Sequence, residues 1–135
     1  GAETFTKLLD WSDRSTCVLF GDGAGAVVLQ AEKSEKGYGI IANTLHSDGR
    51  FKDILYVDGG VSSTGTIGHV KMQGRDVFKH AVEKLAAAMD EVLHISNLTS
   101  EDIDWLVPHQ ANIRIINAMQ KKLNLPNEKV RNSCF

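Results

Sequence analysis

Apolar positions recur along this chain at two periods, and the change of period separates its parts. The longest patterned stretch runs from about Arg75 to Ile95, with Val77, Phe78, Ala81, Val82, Leu85, Ala88, Met89, Val92 and Leu93 apolar. Spacings of three and four residues put these on one helical stripe, and a rise of ~1.5 Å per residue makes the helix about 31 Å long. A second helix is expected from Ala111 to about Leu123, with Ile115, Ile116, Met119 and Leu123 on one face and Pro126 ending the pattern. Between them, Asn97 to Asp102 reads as a turn with capping residues, and Asp104-Trp105-Leu106-Val107 as a short strand stopped by Pro108.

The first half is more extended in character. Phe5, Leu8 and Leu9 mark the end of a helix, and Ser12-Asp13-Arg14-Ser15 a polar turn. Two β-prone runs, Thr16 to Phe20 and Ala26 to Gln30, flank Gly21-Asp22-Gly23-Ala24-Gly25 and predict a hairpin. Glu32 to Gly37 is charged and turn-like, the best internal boundary, with units expected over 1–35 and 36–135. A third strand is expected from Gly39 to Leu45, closed by Asp48-Gly49. Residues 50–73 hold a short apolar patch (Ile54, Leu55, Val57) and then a Gly/Ser/Thr-rich loop from Gly59 to Gly68. Strands alternating with helices predict an α/β layered fold.

Composition narrows the function classes. The 135 residues are 42% hydrophobic and 24% charged, which argues for a packed core and against a disordered chain. A formal net charge of −2 advertises neither nucleic acid nor a membrane surface as partner. No apolar run approaches the roughly 18 residues of a membrane span, and the N-terminal residues lack signal-peptide character. Two cysteines, Cys17 and Cys134, are too few for a disulfide scaffold or a CxxC zinc site, so the reducing cytoplasm is the expected compartment.

The glycine-rich run invites a nucleotide-loop reading, but no Lys-Ser/Thr follows it and it leads toward a strand rather than a helix. Cys17 lies in an apolar β-prone run, where an inert buried thiol is expected. His46, His69, His80 and His94 show no matched ligand spacing, and no metal site assembles. His109 differs. It follows a short strand and Pro108 and precedes a helix, at the carboxyl end of a strand where α/β folds collect ligands. A ring N–H there suits stabilisation of a developing oxyanion, and a satisfied structural histidine is the competing reading.

Read as one string, Val107-Pro108-His109-Gln110-Ala111-Asn112-Ile113-Arg114-Ile115 resembles the active-site histidine segment of the β-ketoacyl-[acyl-carrier-protein] synthase III family. Asp13-Arg14 ahead of Leu19-Phe20-Gly21-Asp22-Gly23-Ala24-Gly25-Ala26, Leu45-His46-Ser47-Asp48-Gly49, and Met72-Gln73-Gly74-Arg75-Asp76-Val77-Phe78 fit the same family. The resemblance runs from residue 1 to about Val130. It implies an α/β thiolase-like fold of layered α-β-α-β-α type, here incomplete, with 1–35 ending one half and 36–135 belonging to the second. It also implies an acyltransferase that starts fatty acid synthesis. An acyl group from coenzyme A passes to a cysteine, and decarboxylated malonyl-[acyl-carrier-protein] attacks it.

The site residues implied by the resemblance follow one by one. His109 matches the catalytic histidine. Arg14 matches an arginine stacked near the coenzyme A adenine, and Phe20 an aromatic wall near the cysteine. Gly74, Phe78, Ala111 and Asn112 match the lining of the pantetheine channel. Gln110, Ala111, Asn112, Ile113 and Arg114 match the face that docks the carrier protein, with Lys79, Lys121 and Lys122 as further basic neighbours. Arg75 stands where some relatives carry asparagine. No metal or resident cofactor is implied, since coenzyme A thioester and 4'-phosphopantetheine arrive as substrates. A cytoplasmic homodimer is the implied assembly.

By the same resemblance the nucleophilic cysteine lies ahead of Gly1 and the catalytic asparagine beyond Phe135. Cys17 falls at a plain strand position, and Asn132 comes too early to be that asparagine. A chain truncated at both ends and inactive alone is therefore expected. A non-catalytic module binding coenzyme A or carrier protein, or the product of a decaying gene, is the alternative.

Overall fold

Local hydrogen bonding makes most of the regular structure in the computed structural model, which describes residues 1–33 and 38–132. The expected boundary at 35/36, and Cys134, lie outside the described residues. The chain divides into two compact units, Gly1–Lys33 with Asp48–Val77, and the described part of Ser34–Ser47 with Phe78–Phe135.

In the first unit, β1 (Ala2–Glu3) pairs antiparallel with β2 (Gly23–Ala24), Ala2 opposite Ala24. The expected hairpin is therefore not formed, and the glycine-rich run supplies a strand rather than the turn between two. Asp22 fixes this geometry. Its Oδ1 accepts the Thr6 backbone N–H at 2.7 Å and its Oδ2 the Thr6 hydroxyl at 2.8 Å, beside a 3-10 turn over Phe5–Leu8 where a helix end was expected. Residues 16–19, expected as a strand, curl instead: the N–H groups of Thr16 and Cys17 donate to Asp13 O and that of Leu19 to Thr16 O. Cys17 is half-buried in that turn, not sealed in a strand.

Val27, Val28 and Leu29 are 84%, 97% and 82% exposed and, like Ile40 and Ile41, lie in no strand. β-propensity expresses fit to a half-buried pleated surface, and no neighbouring strand among the described residues supplies one to these segments. Strands 26–30 and 39–45 are accordingly corrected to unpaired chain.

The segment that was hardest to read is regular. A 3-10 stretch over Gly49–Ile54 is capped by the Asp48 carboxylate, which accepts the Arg50 N–H. It leads into β3 (Leu55–Val57), paired antiparallel with β4 (Val70–Met72). Gly68, at φ +75°, passes so close to Gly59 that a Cβ at either would collide with the other's backbone. Here glycine is required both by φ and by approach.

Helix α1 (Gly74–Ser96) and helix α2 (Ile113–Lys122) follow the apolar periods. Both end in the same way. Asn97 (φ 54°) and Asn124 (φ 51°) adopt the left-handed conformation. Leu98 N–H then reaches Leu93 O at 2.9 Å, and Leu125 N–H reaches Gln120 O at 3.1 Å. These are Schellman closures. Thus α2 ends at Lys122 and its closure turns at Asn124, ahead of Pro126. The buried cluster of the second unit is Leu106, Leu123 and Leu125, against which Met89, Ile103 and Val130 pack. Ile116, fully buried, and Met119 anchor α2.

The expected strand 104–107 reduces to a parallel bridge between Leu106 and Val130. Leu106 N–H donates to Lys129 O at 2.8 Å and Arg131 N–H to Leu106 O at 2.9 Å. Among the described residues no helix is long and apolar enough to cross a membrane.

Candidate active site

The sequence-predicted residues fall in both units. Arg14, Phe20 and Gly74 belong to the first, and Phe78, His109, Gln110, Ala111, Asn112, Ile113 and Arg114 to the second.

In the second unit, His109 occupies the connection between the Leu106 bridge and α2, and its side chain is exposed. The chain around it is fixed on both sides. Gln110 donates from Nε2 to Pro108 O at 2.7 Å and to Arg131 O at 3.2 Å, tying the turn back on itself and to the segment paired with Leu106. Asn112, at φ −160° and ψ 120°, is the N-cap of α2, its Oδ1 accepting the Arg114 N–H at 2.9 Å. Ala111 and Asn112, expected inside the helix, stand just before it, because the cap satisfies a donor that the first turn leaves without a partner. Arg131 stacks on Trp105, its guanidinium carbon 3.6 Å from the ring centroid, which packs the strand end beside His109's turn.

The chemistry this turn can perform is that of an exposed imidazole just past the Leu106 bridge, with the residues on either side of it tied by hydrogen bonds. A donor held in place loses no reorganisation energy when charge develops opposite it. Ala111, Asn112, Ile113 and Arg114 are exposed alongside, whereas the Gln110 amide nitrogen is turned into the protein. Lys121 and Lys122 are exposed near the end of α2. A cleft of about 600 Å³ in this unit is lined by Asn117, Gln120, Lys121, Asn127, Val130 and Asn132, and none of the predicted site residues apart from Lys121 reaches it.

In the first unit, Phe20 stacks on Phe5 with centroids 4.9 Å apart. Gly74 opens α1, where a Cβ would meet only the Met72 methyl at an ordinary 3.6 Å. The packing of this chain alone therefore does not demand glycine there. Arg14 is exposed in the 13–17 turn. The turn is built by Asp13, whose carboxylate accepts bonds from Ser15 and Thr16. The Ser15 hydroxyl first, then Thr16 and the Ser15 N–H, holds the Asp13 carboxyl below its ordinary value. The sequence reading passed over Asp13 as a side chain. Its Asp-x-Ser-Thr spacing was the available signal, since an aspartate commonly bonds the backbone two residues on. Among the described residues no group of three or more His, Cys, Asp or Glu side chains is placed to hold a metal ion.

A family model described as 3-oxoacyl-[acyl-carrier-protein] synthase III matches residues 1–49, and one described as the C-terminal part of that synthase matches residues 93–134. The chain is 62% identical over 130 residues to a β-ketoacyl-[acyl-carrier-protein] synthase III of Sphingopyxis alaskensis, covering 96% of this chain and 40% of that protein. Among solved structures it is similar to 3-oxoacyl-[acyl-carrier-protein] synthase III from Aquifex aeolicus VF5. The TM-score there is 0.86 at 43% identity, covering 98% of this chain and 40% of that one. The corresponding synthase from Pseudomonas aeruginosa PAO1 gives 0.85 at 41% identity, over 96% of this chain and 40% of that one. The chain thus spans about 40% of the length of these relatives, and its path is that of an α/β thiolase-like fold over that span.

Proposed function

We propose, from the premise that the chain belongs to the 3-oxoacyl-[acyl-carrier-protein] synthase III family, that it supplies the histidine-bearing part of a condensing acyltransferase. In this reading an acyl group from an acetyl-coenzyme A-type primer is carried on a cysteine thiol. Malonyl-[acyl-carrier-protein] loses carbon dioxide, and the resulting carbanion attacks the acyl thioester, breaking its C–S bond and releasing the cysteine thiolate. His109 donates its ring N–H to the malonyl thioester oxygen, on which the enolate charge develops as carbon dioxide leaves. The observation that carries the proposal is the Val107–Asn112 stretch held between the Leu106 bridge and α2, with His109 exposed and its flanks tied down by Gln110 and Asn112.

The remaining roles follow the resemblance. Arg14 stacks on the adenine of coenzyme A, and Phe20 forms an aromatic wall. Gly74, Phe78, Ala111 and Asn112 line the path of the pantetheine arm. Ala111, Asn112, Ile113 and Arg114 meet the acidic carrier protein, supported by Gln110 beneath them. Thioester and phosphopantetheine come with the substrates, so no resident cofactor enters the reading. Residues 1–35 end one thiolase-like half and 36–135 belong to the other, within a cytoplasmic homodimer. These 135 residues hold one of the three catalytic positions. Members of a catalytic unit act together, so the isolated chain performs no condensation.

The test replaces the matching stretch of the Sphingopyxis alaskensis synthase by this chain and follows condensation of acetyl-coenzyme A with malonyl carrier protein. Activity is expected in the graft and none in the isolated chain. His109→Ala in the graft should lower kcat by about 10²–10³, the loss typical of one oxyanion donor. A His109→Ala graft within twofold of its parent, or turnover by the isolated chain, sinks the reading.

A further inference from the structure

Arg14 is an exposed, flexible side chain in a segment that belongs to no helix or strand. A single neighbour fixes its backbone. Asp13 Oδ1 accepts the Ser15 backbone N–H at 2.9 Å and the Ser15 hydroxyl at 2.6 Å. Asp13 Oδ2 accepts the Thr16 hydroxyl at 2.8 Å, and the Asp13 carbonyl accepts the N–H groups of Thr16 and Cys17 at 3.2 and 3.0 Å. The three residues after Arg14, Ser15 to Cys17, are thereby all held to the aspartate just before it. Thr16 is 1% exposed, so this loop is rooted in the interior of its unit. Asp10 makes a similar pair of bonds to Ser12, at 2.9 and 2.5 Å, but those close around Trp11 and involve no buried anchor. Of the two Asp-x-Ser turns, the one anchored inside the protein is the one that carries the arginine.

We propose that Asp13 is a positioning residue for the nucleotide end of the coenzyme A thioester, acting by clamping Ser15 and Thr16 so that the Arg14 guanidinium is presented to the adenine. The inference rests on the reading of Arg14 given above. A planar guanidinium binds a base by stacking, which demands orientation as well as proximity. An arginine whose backbone must be ordered on binding weakens affinity by about two- to tenfold. The bonds that make the clamp also hold the Asp13 carboxyl below its ordinary value, the Ser15 hydroxyl contributing most.

The two substrates separate this role from a general structural one, because the carrier-protein substrate brings a pantetheine arm without an adenine. In the grafted synthase, Asp13→Ala should raise KM for acetyl-coenzyme A about two- to tenfold and leave kcat and KM for malonyl carrier protein unchanged. Asp13→Asn, which keeps an oxygen for Ser15, should restore most of the loss. In an Arg14→Ala background, Asp13→Ala should add nothing further. An equal rise in both KM values, or a full additional loss on top of Arg14→Ala, overturns the inference while the role of Arg14 stands. An Arg14→Ala graft with unchanged KM for acetyl-coenzyme A overturns the role of Arg14, and the inference with it. Should Asp13→Ala not fold, Ser15→Ala removes one clamp bond and is read in the same two KM values.

Discussion

Asn112 carries two assignments that a pair of substitutions can separate. In the structure its Oδ1 caps α2 through the Arg114 N–H at 2.9 Å, while the proposed function places Asn112 along the pantetheine arm, to which its side-chain N–H groups would donate. Asn112→Ala removes both. The lost cap should cost about 1 kcal/mol, within a range of ~0.5–2 kcal/mol. An unfolding entropy of roughly 2.1 cal/mol/K per residue, taken over the chain, converts this to a fall in Tm of about 3–4 °C. Asn112→Ser keeps a capping oxygen of comparable strength and should leave Tm within about 1 °C. Asn112→Asp also keeps the cap and adds a negative charge at the helix N-terminus, worth about 0.3–1 kcal/mol, so Tm should rise slightly. Both variants lose the amide donors. In the grafted synthase each should raise KM for acetyl-coenzyme A by about two- to tenfold, the loss of one neutral hydrogen bond. Thermal unfolding followed by circular dichroism and initial-rate kinetics give the two readouts. If serine destabilises as much as alanine, the cap is not what Asn112 contributes. If serine and aspartate leave KM unchanged, the amide does not serve the substrate.

Two further perturbations test the fold around the site. Gly68→Ala places a side chain at φ +75° and against the Gly59 backbone, so stability measured by urea titration should fall by about 1–3 kcal/mol from the backbone conformation alone, and an unchanged midpoint would contradict the close crossing. On acidification, Asp13 and Asp102 act together. Asp13 is held below its usual 3.8 chiefly by the Ser15 hydroxyl, and Asp102 by the Thr99 N–H and hydroxyl in a capping box. A carboxyl whose folded pKa is depressed stabilises fully above the unfolded value and loses that contribution as pH falls through the folded one. Tm should therefore decline from about pH 4 downward, and Asp102→Asn should flatten the decline; a Tm independent of pH over that range refutes the assignment.

The two helices, and the turn that carries His109 into the second of them, were legible in the sequence because their determinants are local. A helix satisfies its backbone within four residues, so the spacing of Val77, Ala81, Val82 and Leu85 already states its face. The ends were written there too, in Asn97 and Asn124, although Pro126 was the more conspicuous stop. The motif around His109 identified the candidate site before any geometry, because that chemistry sits on consecutive residues.

What the sequence could not decide was pairing. Thr16–Phe20, Ala26–Gln30 and Gly39–Leu45 have the composition of strands, yet only a partner backbone and a surface to cover make a strand, and both are supplied from outside the segment. Only the tertiary structure showed Gly23–Ala24 pairing with Ala2–Glu3, Asp22 reaching back to Thr6, and Gly68 crossing Gly59. The same holds for the support of the candidate site. The sequence named Arg14 and His109, but their anchoring depends on where Thr16 is buried and on Arg131 lying within reach of Gln110, across 21 residues of chain. Short-range periodicity encodes what a segment becomes when its hydrogen bonds close within itself; contacts that close between distant segments are settled only when the chain has folded.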